Sequence, residues 1–216
     1  MYLEAIGVQS ACVEAVYNLG LVNMQLGRLK EARIAFEKLH RLIPNNLSVL
    51  YRIANVCEQQ DEPDETVKWL NVLSSRIPMD AGVLSRIGGI YTKANNEGQA
   101  FHYQIESHRL FPIDLDVISW LGVWFVKNKM YEKSICLFER ASQIQPKEAK
   151  WPLMICSCYR CMGNCTEARD MYEWVHAKYP ENLECEFCQK QKFKRLINAL
   201  RDCALTVLYF SHCFVS

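Results

Sequence analysis

Long apolar runs are missing from this sequence. No stretch approaches the ~18 consecutive apolar residues that a membrane-spanning helix needs, so no membrane span is expected. A dominant sign of charge is missing too. The chain carries 25 Lys and Arg against 24 Asp and Glu, a formal net charge of +1, which leaves no electrostatic footprint for nucleic acid or an anionic surface. The opening stretch MYLEAIGVQSAC has neither the basic start nor the apolar core of a secretory signal. Sites of chemistry are scarce as well: no phosphate loop, no dinucleotide fingerprint and no Ser/His/Asp spacing occurs, so neither catalysis nor a bound cofactor is expected.

Cysteine, by contrast, is plentiful at 11 residues. With no secretory signal these read as reduced thiols in an intracellular compartment. Cys57 and Cys156 fall at apolar positions, where a free thiol packs as a small hydrophobe. The run Cys156, Cys158, Cys161, Cys165, followed by Cys185 and Cys188, holds two C-x-x-C pairs with 23 residues between them, against the ~15–20 of structural zinc sites. The first pair lies inside a helical pattern with Cys156 already assigned to the core, so no metal is expected.

Proline is sparse at seven residues, yet five of them keep a strict interval: Pro44, Pro78, Pro112, Pro146 and Pro180 stand 34 residues apart. A fixed period of that size marks stacked repeats. The units run 13–46, 47–80, 81–114, 115–148 and 149–182. Residues 1–12 read as the second-helix remnant of a preceding repeat, with Tyr2 and Ala5 in register and Ser10 in the proline place. Residues 183–216 read as a partial or divergent C-terminal segment. The array is therefore expected to be a fragment or an isoform of a longer one.

Inside each unit the chemistry recurs. Position 7 is apolar (Leu19, Ile53, Ile87, Leu121, Ile155). Position 8 is small (Gly20, Ala54, Gly88, Gly122, Cys156), as is position 20 (Ala32, Thr66, Ala100, Ser134, Ala168). Bulk gathers at positions 11 and 24. Apolar positions 4, 7, 8 and 11 share one face of a first helix, and positions 20, 24 and 27 share one face of a second. Small residues at 8 and 20 let the two backbones close up, and the proline at 32 ends the second helix. His40, His108 and His176 share position 28, an echo of the repeat rather than a catalytic cluster.

The period and this small–large–proline pattern resemble the tetratricopeptide repeat, with Asn23, Gln104 and Ser107 departing from its expected apolar residues. The resemblance implies an all-α fold, a right-handed superhelical solenoid of antiparallel helical hairpins. It also implies a concave groove lined by positions 2, 5, 9 and 12 of the first helices, which here places Tyr17, Leu21, Met24, Tyr51, Asn55 and Glu58 toward a partner. Ser85, Thr92, Ser119, Val123, Leu153, Ser157 and Arg160 occupy the same positions further along. Chaperone-binding members grip a C-terminal carboxylate with Lys, Asn and Arg in these places, and no two adjacent repeats here carry such a clamp.

Non-consensus stretches, among them YNLGLVNMQLGRLKEARIAFEKLH, VLYRIANVCEQQDEPDETVKWL and YEKSICLFERASQIQPKEAKWPLM, resemble the C-terminal repeats of the tetratricopeptide-repeat proteins of the intraflagellar transport B particle. That likeness runs from about residue 2 to Cys185. It implies a non-catalytic scaffold for cilium assembly that contacts other intraflagellar transport B subunits, with motors and cargo attached indirectly. It further implies residence at the cilium, the basal body or centrosome and the cytoplasm. An adaptor of another multiprotein assembly, of the chaperone or cell-cycle kind, remains open.

Overall fold

The computed structural model describes residues 2–180, and among these every regular element is helical. In chain order they are α1 (Tyr2–Gln25), α2 (Leu29–Leu42), α3 (Leu47–Gln59), α4 (Pro63–Arg76), α5 (Ala81–Lys93), α6 (Glu97–Leu110), α7 (Leu115–Lys127), α8 (Tyr131–Ile144), α9 (Lys150–Met162) and α10 (Cys165–Lys178). The segment 183–216 lies outside the described residues. Two compact units divide the chain, one through Leu110 and one from Phe111.

The first unit is three antiparallel hairpins, α1–α2, α3–α4 and α5–α6, stacked so that α2 lies on α3 and α4 on α5. Each boundary has a local cause. The Asn46 and Asp80 side chains accept from the backbone N–H of Val49 at 3.2 Å and of Val83 at 3.1 Å, satisfying donors that a helix start leaves free. Helices α2, α4 and α6 stop at Leu42, Arg76 and Leu110, each two residues before a proline of the 34-residue ladder. Each hairpin turns through one left-handed residue, Gly27 (φ 70°), Asp61 (58°) and Asn95 (55°), at the same repeat position.

In the second unit the hairpins α7–α8 and α9–α10 are joined by α8 packing on α9. Asp114 caps α7 through the Val117 N–H at 3.3 Å. The left-handed turn residues are Lys129 (φ 59°) and Gly163 (φ 82°). Helix α9 starts without a side-chain cap and carries Pro152 in its first turn, where a missing N–H costs no intrahelical bond.

The seam inside each hairpin is a small residue against a large one. A β-carbon on Gly20 would sit 2.6 Å from the Phe36 ring, and one on Gly122 would sit 2.5 Å from Phe138 Cζ. Across the same α7–α8 seam the Ser134 hydroxyl donates to the Gly122 carbonyl at 2.8 Å. Around these seams Phe36, Phe138, Leu50, Ile53, Leu70, Ile87 and Leu121 are fully buried. The polar departures are buried too, and two of them find carbonyls. Ser107 donates to Ala81 O at 2.9 Å and Gln104 to Ser85 O at 3.3 Å, which satisfies donors that would otherwise carry a desolvation penalty.

Two features differ from the sequence reading. Residues 2–12, read there as a separate second-helix remnant, are continuous with the helix that follows, since α1 runs unbroken from Tyr2 to Gln25. Ser10 stands where every later unit has proline, and nothing in its backbone chemistry stops a helix. Leu19, at a position filled by buried residues in the other units, is 55% exposed. Position 7 turns toward the hairpin before its own, and no described element covers it in the first.

Candidate functional site

Among the described residues no group of three or more His, Cys, Asp or Glu side chains is placed to hold a metal ion. Cys57, Cys156 and Cys158 are buried and take part in no disulfide. Burial pushes the Cys158 thiol up to about 12, with a contact to Ser134 opposing it, so it stays protonated and unreactive at neutral pH. Cys185 and Cys188 lie outside the described residues. No helix among the described residues is long and apolar enough to cross a membrane.

What the first unit does assemble is a surface of tyrosine and arginine on its first helices. Tyr17 of α1 packs edge-on against Phe36, ring centroids 5.8 Å apart, and its hydroxyl accepts from Arg52 Nε of α3 at 3.4 Å. One repeat later Arg86 of α5 lies over the Tyr51 ring at 4.9 Å, a cation–π contact. Both pairs join a tyrosine at position 5 to an arginine at position 6 of the next unit, 35 residues on. Arg86 Nη2 also donates to Asn55 Oδ1 at 2.7 Å and to Glu58 Oε2 at 2.5 Å.

The six residues singled out from sequence therefore divide. Tyr51, Asn55 and Glu58 converge on Arg86, and Tyr51 remains 42% exposed. Leu21 and Met24 pack with Tyr17 against the core between α2 and α3. In the second unit Ser119, Leu153 and Ser157 are buried, and the Ser157 hydroxyl is spent on its own helix through Leu153 O at 3.1 Å. Arg52 and Arg86 were not singled out from sequence. Their recurrence at position 6 in consecutive units was the available signal, but a lone arginine on a helix reads as solvated until its partner from the neighbouring hairpin is in place.

Two hollows open along this surface, one of about 770 Å³ and one of about 260 Å³. They are the same hollow repeated. Tyr17, Leu39, Ile43 and Asn46 line the first, and Tyr51, Leu73, Ile77 and Asp80, each 34 residues later, line the second. Tyr17 and Ser48 border both, which joins them into one groove. The walls combine apolar and aromatic side chains with an asparagine or aspartate at the helix start.

Helical hairpins at a 34-residue period, closed by a small–large seam and ended by proline, make up the tetratricopeptide-repeat fold, and the described residues have that fold. The family model described as tetratricopeptide repeat matches residues 13–46. Among curated proteins, the human intraflagellar transport protein 88 homolog is 56% identical over 48 residues, which is 22% of this chain and 6% of that protein. The matched stretch thus spans a small fraction of its relative's length. Solved structures share the fold at low identity. The MamA protein has a TM-score of 0.66 at 17% identity, covering 80% of this chain and 94% of its own. YrrB, titled as a tetratricopeptide-repeat protein with an unusual peptide-binding site, has a TM-score of 0.65 at 15% identity, covering 88% and 97%. A tetratricopeptide-repeat protein from Parabacteroides merdae has 0.67 at 14%, covering 80% and 69%.

Proposed function

We propose that this chain is a non-catalytic scaffold that holds a segment of a partner protein in the groove of its first unit, and that the assembly it serves is the intraflagellar transport B particle. The observation that carries the binding role is the doubled hollow, built twice from one set of repeat positions. Anchors on the partner would sit in the two hollows, with Tyr51 and Tyr17 supplying flat apolar surface. Arg86, held by Asn55 and Glu58, keeps the Tyr51 ring from turning, so little rotamer entropy is lost when a segment docks.

The ciliary assignment rests on the 48 residues of 56% identity, together with the likeness over non-consensus stretches. The partners in this reading are other intraflagellar transport B subunits, with motors and cargo attached through them, and the places of action are the cilium, the basal body or centrosome and the cytoplasm. The test is recovery of the tagged chain from ciliated cells beside a Tyr51→Ala variant. B-particle subunits should accompany the parent chain and be depleted with the variant. Recovery of chaperone or cell-cycle assemblies in their place would refute the ciliary reading, and equal recovery by both chains would refute the groove.

A further inference from the structure

The two arginines of the groove hold the same place in consecutive repeats but keep different company. Arg86 is neutralised: it lies over the Tyr51 ring, and its Nη2 donates to Asn55 Oδ1 at 2.7 Å and to Glu58 Oε2 at 2.5 Å. Arg52, one repeat earlier, donates through Nε to the Tyr17 hydroxyl at 3.4 Å. Among the described residues it forms no ion pair, whereas Arg33 and Arg86 both do.

Two side chains cause the difference. Asn55 and Glu58 stand 31 and 28 residues before Arg86, and the residues at those distances before Arg52 are Leu21 and Met24. Both are half-buried and pack on the core between α2 and α3. Neither offers a carboxylate or amide oxygen to a guanidinium.

An unpaired arginine on an open helix face is ordinarily just solvated, and its charge counts for little. Arg52 is half-buried instead, and lines the second hollow with Tyr17, Tyr51, Leu47, Leu73 and Ile77. Tyr17 occupies its Nε, so the two Nη groups remain for a further acceptor. Asp80 borders the same hollow, but its Oδ1 caps α5 through the Val83 N–H at 3.1 Å and it makes no ion pair with Arg52. The first hollow has the opposite charge on its wall, Glu14, and no Lys or Arg among its described lining residues.

We infer that Arg52 determines what this groove selects: a partner segment bearing an aspartate or glutamate whose carboxylate lies on the Arg52 Nη groups, with an apolar side chain in the first hollow. The inference rests on the groove reading proposed above and gives its occupant a chemistry. Two Nη donors meet both oxygens of a carboxylate in one plane, which fixes direction as well as attraction. The flanking tyrosine rings keep water from the pair and strengthen it. Glu14 disfavours an acid in the first hollow, so the order of charges also sets which way round the segment lies. The carboxylate belongs to a side chain within the segment, since no second Lys or Arg lines either hollow among the described residues to clamp a chain terminus.

Random linear peptides displayed on phage, their C-termini joined to the coat protein, are selected on the full chain and resynthesised with amidated ends. Binders that weaken with Tyr51→Ala occupy the groove, and these should share an Asp or Glu beside apolar residues. Replacing that acid by its amide should weaken binding to the parent chain about tenfold or more, and should change nothing on an Arg52→Gln chain. Arg52→Glu should reverse the preference toward the same peptide with Lys in place of the acid, a gain that a damaged fold would not produce. Tyr17→Phe removes the hydroxyl but not the charge and should keep the preference for acid over amide. Groove binders without an acid, or equal binding of acid and amide by the parent, overturn this inference and leave the groove standing. Absence of Tyr51-dependent binders removes the groove as well.

Discussion

At the scale of single residues, the seams set how much a side chain may grow. Gly122 faces the rigid Phe138 ring, whereas the nearest atoms to a new β-carbon on Gly88 are the end of the Gln104 side chain, 2.9–3.0 Å away. A ring cannot withdraw without moving its helix, but an amide chain can rotate. Gly122→Ala should therefore destabilise the fold by about 1–3 kcal/mol. In Gly88→Ala the helix-propensity gain of about 1 kcal/mol offsets much of the strain. Denaturant midpoints of the two variants check this ranking, and equal losses would contradict the difference between the seams. Left-handed turns give a second test. Lys129 holds φ at 59° where two other hairpins place glycine. Lys129→Gly should raise stability by about 1 kcal/mol, the cost an L side chain meets in that conformation.

For helices, the decisive features are starts and stops. Asp80 caps α5 through the Val83 N–H at 3.1 Å, so Asp80→Ala should cost about 1 kcal/mol of stability by thermal melt. Neighbouring hairpins are also tied by charge. Arg33 of α2 reaches Glu37 at 2.8 Å, Glu62 at 2.5 Å and Glu65 at 3.2 Å, linking the first hairpin to the turn and second helix of the next. The stops of the second helices were legible in the sequence, because proline acts on the residues next to it. The length of α1 was legible only in part. The missing proline at Ser10 showed that the ladder fails there, but whether the chain then folds back or runs on depends on what its apolar face finds to pack against.

At the scale of the whole molecule, the described residues form hairpin stacks in each of two units, and each stack's stability is the sum of seams and the packing between neighbours. Burial of Cys158 at the α8–α9 contact links that packing to pH. Its folded-state value of about 12 lies above the ordinary 9.0, so the folded chain keeps a proton that the unfolded chain gives up. Its contribution is therefore intact below pH 9 and lost progressively as pH rises from 9 toward 12. Urea midpoints should fall across the accessible part of that range, and Cys158→Ala should flatten the decline. A parent chain with constant midpoints would show that the thiol is not held from water.

By itself the sequence determined the helical class, the 34-residue hairpin and the small–large seam, because each follows from local backbone preference repeated five times in one register. It also placed Tyr51, Asn55 and Glu58 on one side of a helix. Tertiary structure alone decided that these three meet Arg86, that Arg52 meets Tyr17, and that one hollow recurs a repeat later. It also decided that Leu19 stays in water while its counterparts are buried. Each of these outcomes depends on residues about 30 or more positions apart being carried together, or left apart, by the stacking of whole hairpins, and no local pattern encodes which neighbour will be present.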